Sequence, residues 1–217
     1  MSSAMMELFV TSFGETLVMV VASGLAASSI GIPLGLALYL AGRGSPLPLL
    51  RLPGAVGLAL DGLRSVPSII LLVIAIPLVH ELFGQAIGLG ASIIPLSIIA
   101  APLVARRVET ALRGVDRSLL ESALTLGARP WQIICRILLP EASAGIAAAL
   151  GLALASLVGY SAMAGAIGGV GLGDLGIRYG YREFLPEAML LVVLALVILA
   201  EAAHSLGNAL AQHLDRR

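Results

Sequence analysis

The chain has 217 residues, a mean hydropathy of +1.01, 59% hydrophobic residues and a formal net charge of +0. Charged residues are 12% of the total, about half of what a soluble domain carries, so an ordinary globular domain is excluded and a polytopic helical membrane protein is indicated. All 13 basic residues are arginine; a P-loop requires a lysine at the phosphates, so ATP hydrolysis of that kind is excluded here, and the neutral charge balance gives no field that would draw nucleic acid.

Taken in order, Met1 to Val10 holds Glu7 and no basic residue, unlike the positive start of a cleavable signal peptide. The first span, about Thr16 to Ala41, is therefore expected to insert and remain. Ala27, Gly31 and Gly35 form a small-residue stripe that lets another helix approach closely, and Pro33 predicts a kink. Leu47 to Gly57 reads as a loop or interfacial piece. A second span is expected from about Val56 to Val79, with Asp61 and Arg64 spaced to pair on one helix face. His80 to Gln85 reads as a turn. The third span, about Ile87 to Ala105, contains Pro95 and Pro102, and Arg106 and Arg107 follow it.

Val108 to Glu141 is the longest polar run. Within it Glu121, Ser122 and Ala123 precede Gly127 and Ala128, and Leu139-Pro140 lies further on. Gly127 suits the left-handed position at a helix end, and Pro130 suits the first turn of a helix. The pattern predicts helix, glycine turn, helix outside the membrane. The fourth span, about Ala144 to Ile167, has a small stripe at Gly151, Ala155 and Gly159. Ser156, Tyr160 and Met163 fall on an adjoining stripe. A glycine run, Gly168 to Gly176, reads either as a flexible glycine loop or as a loop that contacts a substrate-delivery protein or gates the outer mouth. The fifth span runs from about Pro186 to His204.

Five spans place the termini on opposite sides. One side then receives Arg43, Arg51, Arg64, Arg106, Arg107, Arg113, Arg117, Arg129, Arg136, Arg216 and Arg217, and the other only Arg178 and Arg182. Arginine-rich loops stay in the cytoplasm, so the expected topology is N-terminus outside, C-terminus inside.

Several chemistries are set aside. Gly171 to Gly176 matches G-x-G-x-x-G, but a dinucleotide site needs a preceding strand and this run follows a membrane helix. Glu201 and His204 have ExxH spacing, but a di-iron site needs two such units and two more carboxylates, so no metal site is expected. Ser161 has no base near it in sequence, and no catalytic constellation is readable. Cys135, the single cysteine, reads as a reduced bystander. Glu201 reads as an interfacial carboxylate rather than a proton relay. The span centres lack the charges an ion-driven secondary transporter would need.

The spacing E-S-A, three residues, G-A, then a distant L-P resembles the EAA loop of ABC-importer permeases, with Ser122 in place of the usual first alanine. The Arg64-Ser65-x-Pro67 unit recurs in importers of the methionine and amino-acid type. Val158 to Ala166, the glycine run and Ile177 to Tyr181 resemble methionine-importer permeases more closely. The resemblance implies an all-α, five-span permease fold of the type I importers, spanning residues 1–217 as one domain. It further implies a cytoplasmic docking loop over 106–142 in which Glu121, Ser122, Ala123, Gly127 and Ala128 couple to a separate ABC ATPase that uses ATP and Mg. A homodimer in the bacterial cytoplasmic membrane and an extracytoplasmic substrate-binding protein complete the implied assembly. Ser156, Tyr160, Ser161 and Met163 are the candidates for lining or gating the pathway.

Overall fold

The computed structural model describes residues 3–42, 54–83 and 88–215, and among these the protein contains helices and no strands. In chain order the helices are α1 (Ser3–Ala41), α2 (Gly54–Ser65), α3 (Ser68–Phe83), α4 (Leu89–Arg113), α5 (Arg117–Thr125), α6 (Pro130–Ile133), α7 (Leu139–Ala166), α8 (Leu172–Leu175) and α9 (Pro186–Leu214). Two π-helical stretches, Ile134–Leu138 and Gly176–Arg182, join α6 to α7 and extend α8.

Four helical stretches are long and apolar enough to cross a membrane: Met5–Ala41, Leu89–Arg113, Pro130–Ala166 and Pro186–Leu214. The α2–α3 pair makes a fifth if it is counted as one broken span. Every span is longer than its hydropathy suggests. The reason is that a backbone leaving lipid gains nothing by ending its helix at the membrane boundary, since its N–H and C=O groups are already paired. α1 has 39 residues, about 58 Å of helix against a hydrocarbon core of about 30 Å. It begins at Ser3 rather than Thr16 and runs through Pro33 unbroken.

The expected second span is not one helix. Gly57–Leu63 and Ser68–Ala75 are bent by 97° at the break before α3. Pro67 explains it: proline disfavours helical geometry in the residue before it and cannot donate to the preceding turn. The Pro67 carbonyl instead accepts from Ile70 N–H at 2.9 Å and opens α3. The segment expected as a turn from His80 is helical through Phe83, and Leu47 to Pro53 lies outside the described residues. The polar run after Arg106 is also largely helical. α4 continues to Arg113, and α7 is fed directly by α6 through the π stretch. Pro140 has no N–H for residue 136, and the widened turn just before it accommodates that missing bond.

The helices meet where side chains are smallest. α1 packs most extensively on α4, and α7 on α9. A Cβ on Gly31 would lie 2.7 Å from Val104, and one on Gly35 would lie 2.5 Å from the Ala105 carbonyl oxygen. A Cβ on Gly151 would lie 2.5 Å from Gly207 Cα on α9. The stripe expected on α7 is thus used at Gly151, whereas Gly159 faces open space. Around these approaches the core is aliphatic: Met19, Leu72, Leu96, Leu112, Leu120, Leu138 and Leu157 are all nearly inaccessible. A smaller cluster of Leu172, Leu175, Val192 and Ala195 packs with Phe9 and Phe13 at the glycine-run end.

α2 is fastened to α4 by charge. Asp61 pairs with Arg106 at 2.7 Å; the side chain of Arg64, its expected partner, lies outside the described ones. Arg106 also donates to the Gly57 carbonyl at 2.9 Å and to Glu109 at 2.8 Å. Glu109 in turn accepts from Arg113 at 2.8 Å and is 6% exposed. Arg106, Glu109 and Arg113 share one helix face by their i, i+3, i+7 spacing.

Two pairs of variants test these contacts. Glu109→Ala should cost about 1–3 kcal/mol, the usual penalty for removing one partner of buried polar contacts, since Arg106 keeps Asp61 and Arg113 is half exposed, and Glu109→Gln less; thermal melting of the solubilised permease reads both. Gly151→Val should reduce the yield of monodisperse protein far more than Gly159→Val, because only the former drives a side chain into backbone. Equal yields would remove the close-approach account.

Candidate functional site

α5 is a short helix with a defined start and stop. The Asp116 carboxylate accepts from Ser118 N–H at 2.9 Å and caps its first turn. At its end Gly127 has φ +79. Gly127 N–H reaches the Leu124 carbonyl at 3.0 Å and Ala128 N–H the Ala123 carbonyl at 3.1 Å. These two bonds make a Schellman motif, with Ala128 folded back toward Ala123. The next helix opens with Pro130, and the Gln132 side chain accepts from Arg129 N–H at 3.0 Å. The predicted helix, glycine turn and helix are all present.

The helix has two unlike faces. Leu120 and Ala123 are buried against the bundle. Glu121, Ser122 and Gly127 are exposed, and Ala128 is half-buried. Glu121 pairs with Arg117 at 2.6 Å, with both side chains more than half exposed. Such a pair contributes about 0.3–0.5 kcal/mol at most, and its order, cation before anion, runs against the helix dipole. Glu121 therefore does little for the stability of α5 and is presented to solvent. Beside it stand three large exposed apolar groups, Leu119, Leu126 and Trp131, the last two 87% and 71% exposed. The sequence reading missed them; the available signal was the presence of Leu and Trp inside an otherwise polar run.

The other candidates lie on α7. Tyr160 lines a cavity of about 320 Å³ with Pro67 and Ser68 at the α2–α3 break and Ile99, Pro102 and Leu103 of α4. Met163 is 39% exposed, and its sulfur accepts from the Ser68 hydroxyl at 3.4 Å. Ser156 bonds its own helix at the Leu152 carbonyl, 2.9 Å away, and sits on the same stripe. Ser161 does not join them. It is 1% exposed and donates to the Val158 carbonyl at 2.8 Å. Ser156, Tyr160 and Met163 thus share the face beside the broken span, and Ser161 is inside the bundle.

The glycine run is not a flexible loop. Gly168 has φ +103 and closes α7 with the same paired bonds as Gly127: Gly168 N–H to Gly165 and Gly169 N–H to Ala164. Glycine then lets α8 lie on α7, since a Cβ on Gly165 would fall 2.8 Å from Gly173. α1 holds the start of α8. The Glu15 carboxylate accepts from Gly171 N–H at 2.9 Å, and the Thr16 hydroxyl accepts from Leu172 N–H at 2.8 Å. Asp174 pairs with Arg178 at 2.6 Å. Glu201 is exposed and His204 half-buried on α9, and among the described residues no group of three or more metal-ligating side chains occurs.

Comparison with known proteins places this architecture. The family model described as "Binding-protein-dependent transport system inner membrane component" matches residues 54–217, that is, the chain from the start of α2 onward. A Vibrio cholerae protein named "Probable D-methionine transport system permease protein MetI" is 41% identical over 211 residues, covering 97% of this chain and 94% of that one. The solved structure "Inward facing conformations of the MetNI methionine ABC transporter" superposes with a TM-score of 0.94 at 41% identity, covering all of both chains. A second structure, "Crystal structure of an amino acid ABC transporter with histidines", shares the fold with a TM-score of 0.70 at 22% identity. An all-helical bundle with a broken second span, a capped helix exposing Glu121 on its arginine-rich end and this full-length likeness have one reading: the chain belongs to the family of inner-membrane components of binding-protein-dependent transport systems.

Proposed function

We propose that this chain is the permease subunit of an ATP-driven importer that carries methionine across the inner membrane. The observation that carries the reading is the full-length likeness to methionine permeases. Two copies of the chain form the pathway between them, two ATPase subunits bind ATP and Mg, and an extracytoplasmic binding protein delivers the amino acid. The N-terminus lies outside and the C-terminus in the cytoplasm, which puts residues 106–142 beside the ATPase; the arginine distribution supports this orientation.

In this reading α5 is the coupling element. Leu120 and Ala123 root it in the bundle, while Glu121, Ser122, Leu126 and Trp131 face the ATPase. Covering Leu126 or Trp131 contributes about 2 kcal/mol each, far more than the exposed Arg117–Glu121 pair. When the ATPase subunits close, α5 moves with them. The displacement passes through the α6–α7 continuous helix to Tyr160 and Met163, which bear on the α2–α3 break. Met163 is unbranched and polarizable, so it can seal the passage in one state and repack in another. Differential contacts in the two states are what ATP has to bias.

Three outcomes check this. Leu126→Glu and Trp131→Glu should abolish co-purification of the ATPase, and Gly127→Val should weaken it through strain of about 1–2 kcal/mol at the left-handed position, with membrane insertion intact in each case. Cysteines at Tyr160 and Met163 should react with polar thiol reagents differently in resting and nucleotide-trapped complexes, whereas Ser161→Cys should be protected in both; identical reactivity at all three would refute the gate. Reconstituted with its ATPase and binding protein, the permease should take up methionine when ion gradients are collapsed and stop without ATP. Uptake of another solute with no competition from methionine would retain the mechanism and reject the substrate.

A further inference from the structure

Ser68 opens α3 at the break in the second span, and its hydroxyl donates to the sulfur of Met163 on α7 at 3.4 Å. Its neighbours behave differently. Ser65, Ser156 and Ser161 each give their hydroxyl to a carbonyl of their own helix, the ordinary arrangement for a serine inside a helix. Ser68 has no such acceptor in α3, because it is the first residue. The carbonyls three and four positions back belong to α2, on the far side of the 97° bend. Its hydroxyl therefore reaches across to α7 and meets a thioether, which is a weak acceptor. Met163 is 39% exposed, so this bond is readily exchanged for another.

The same serine borders the cavity of about 320 Å³, within the range of small-molecule sites, roughly 300–1,000 Å³. Leu71, Ile99 and Leu103 give it an apolar wall, Ser65, Ser68 and Tyr160 carry hydroxyls, and none of the described residues lining it is charged. Such a cavity suits an uncharged side chain and offers nothing to neutralise a charged one. Apolar fit alone cannot select a thioether, since a methylene in place of sulfur is at least as favourable against hydrocarbon. Selection for sulfur needs a donor, and Ser68 is a donor that already holds one.

We propose that Ser68 is the specificity-determining contact for the sulfur of the cargo. Met163 holds its hydroxyl while the passage is empty, and the thioether of an incoming methionine replaces Met163 there as its side chain enters the cavity beside Tyr160. The assignment rests on the importer reading. Exchanging one thioether for another leaves the number of hydrogen bonds unchanged, so Met163 is released from α3 without loss. A hydrocarbon side chain of the same length cannot make that exchange. Either Ser68 keeps Met163, or its hydroxyl is left without a partner.

The test uses the intact permease–ATPase complex without binding protein, so that any discrimination belongs to the permease. The complex carries Cys135→Ser, because Cys135 is exposed, and a reporter in the cavity wall, Ser65→Cys or Leu103→Cys. Alkylation by a small thiol reagent is timed against increasing methionine or norleucine, which has a methylene in place of the sulfur. Methionine should protect at a concentration about threefold to tenfold lower. Ser68→Ala should erase or invert that preference, and Ser68→Thr, which keeps a hydroxyl, should retain it. Met163→Leu, which removes the resident sulfur, should widen it. A purely structural role for Ser68 would move protection by both solutes together. Equal protection with Ser68 in place, or an unchanged preference in Ser68→Ala, would overturn the assignment. Reporters inert in every nucleotide state would put the cavity off the pathway and also reject it. Protection by neither solute, with ATP-driven methionine uptake intact once the binding protein is added, would reject the Ser68 contact and leave the importer reading standing. Loss of both protection and uptake would overturn the two together.

Discussion

Backbone meeting backbone at glycine is the constraint on which the structure depends. Lipid is as apolar as leucine, so helices in a membrane gain little from merely hiding hydrophobic side chains from it. They gain from close van der Waals contact, and that requires small residues at the crossing. Gly31 and Gly35 set α1 against α4, Gly151 and Gly207 set α7 against α9, and Gly165 and Gly173 set α8 against the end of α7. With those crossings fixed, the leucines and valines of the core fill the remaining space. The outward faces of α1 and α9, with Leu25, Leu190 and Ile198 exposed, remain as apolar as the interior.

Rigid crossings also define where the bundle yields. The α2–α3 segment adds to its apolar packing through Leu72 a bend before Ser68 and the polar contacts of Arg106, which holds both Asp61 and the Gly57 carbonyl. Polar contacts of this sort have discrete alternatives, whereas a glycine crossing has none without losing its fit. The cavity at Tyr160 and the exposed sulfur of Met163 lie beside this jointed segment.

Coupling to an external motor needs a helix that is rooted and yet unsatisfied. α5 meets both requirements, because its ends are closed by Asp116 and by the Gly127 turn, while its outer face leaves Leu126 and Trp131 in solvent. A surface with two such groups flanking a weakly paired carboxylate is unfinished without a partner. The π stretch ahead of Pro140 continues α6 into α7; in the proposed importer a push on this surface would be carried along one helical rod.

The sequence determined the class, the lack of a lysine for a P-loop and the helix–glycine–helix element, since each follows from composition or from a local rule about glycine and proline. It also located Tyr160 and Met163 on one stripe, because helical periodicity is local. What it could not determine came from contacts between distant residues. Asp61 lies 45 positions from Arg106, and only packing brings the two together. Ser161 looked equivalent to Tyr160 until the bundle closed over it. The glycine run read as slack because glycine permits slack; tertiary structure used the missing Cβ atoms to press α8 against α7, with Glu15 and Thr16 holding its first turn from 156 residues away. A periodicity fixes which residues share a face, and only the fold decides what that face meets.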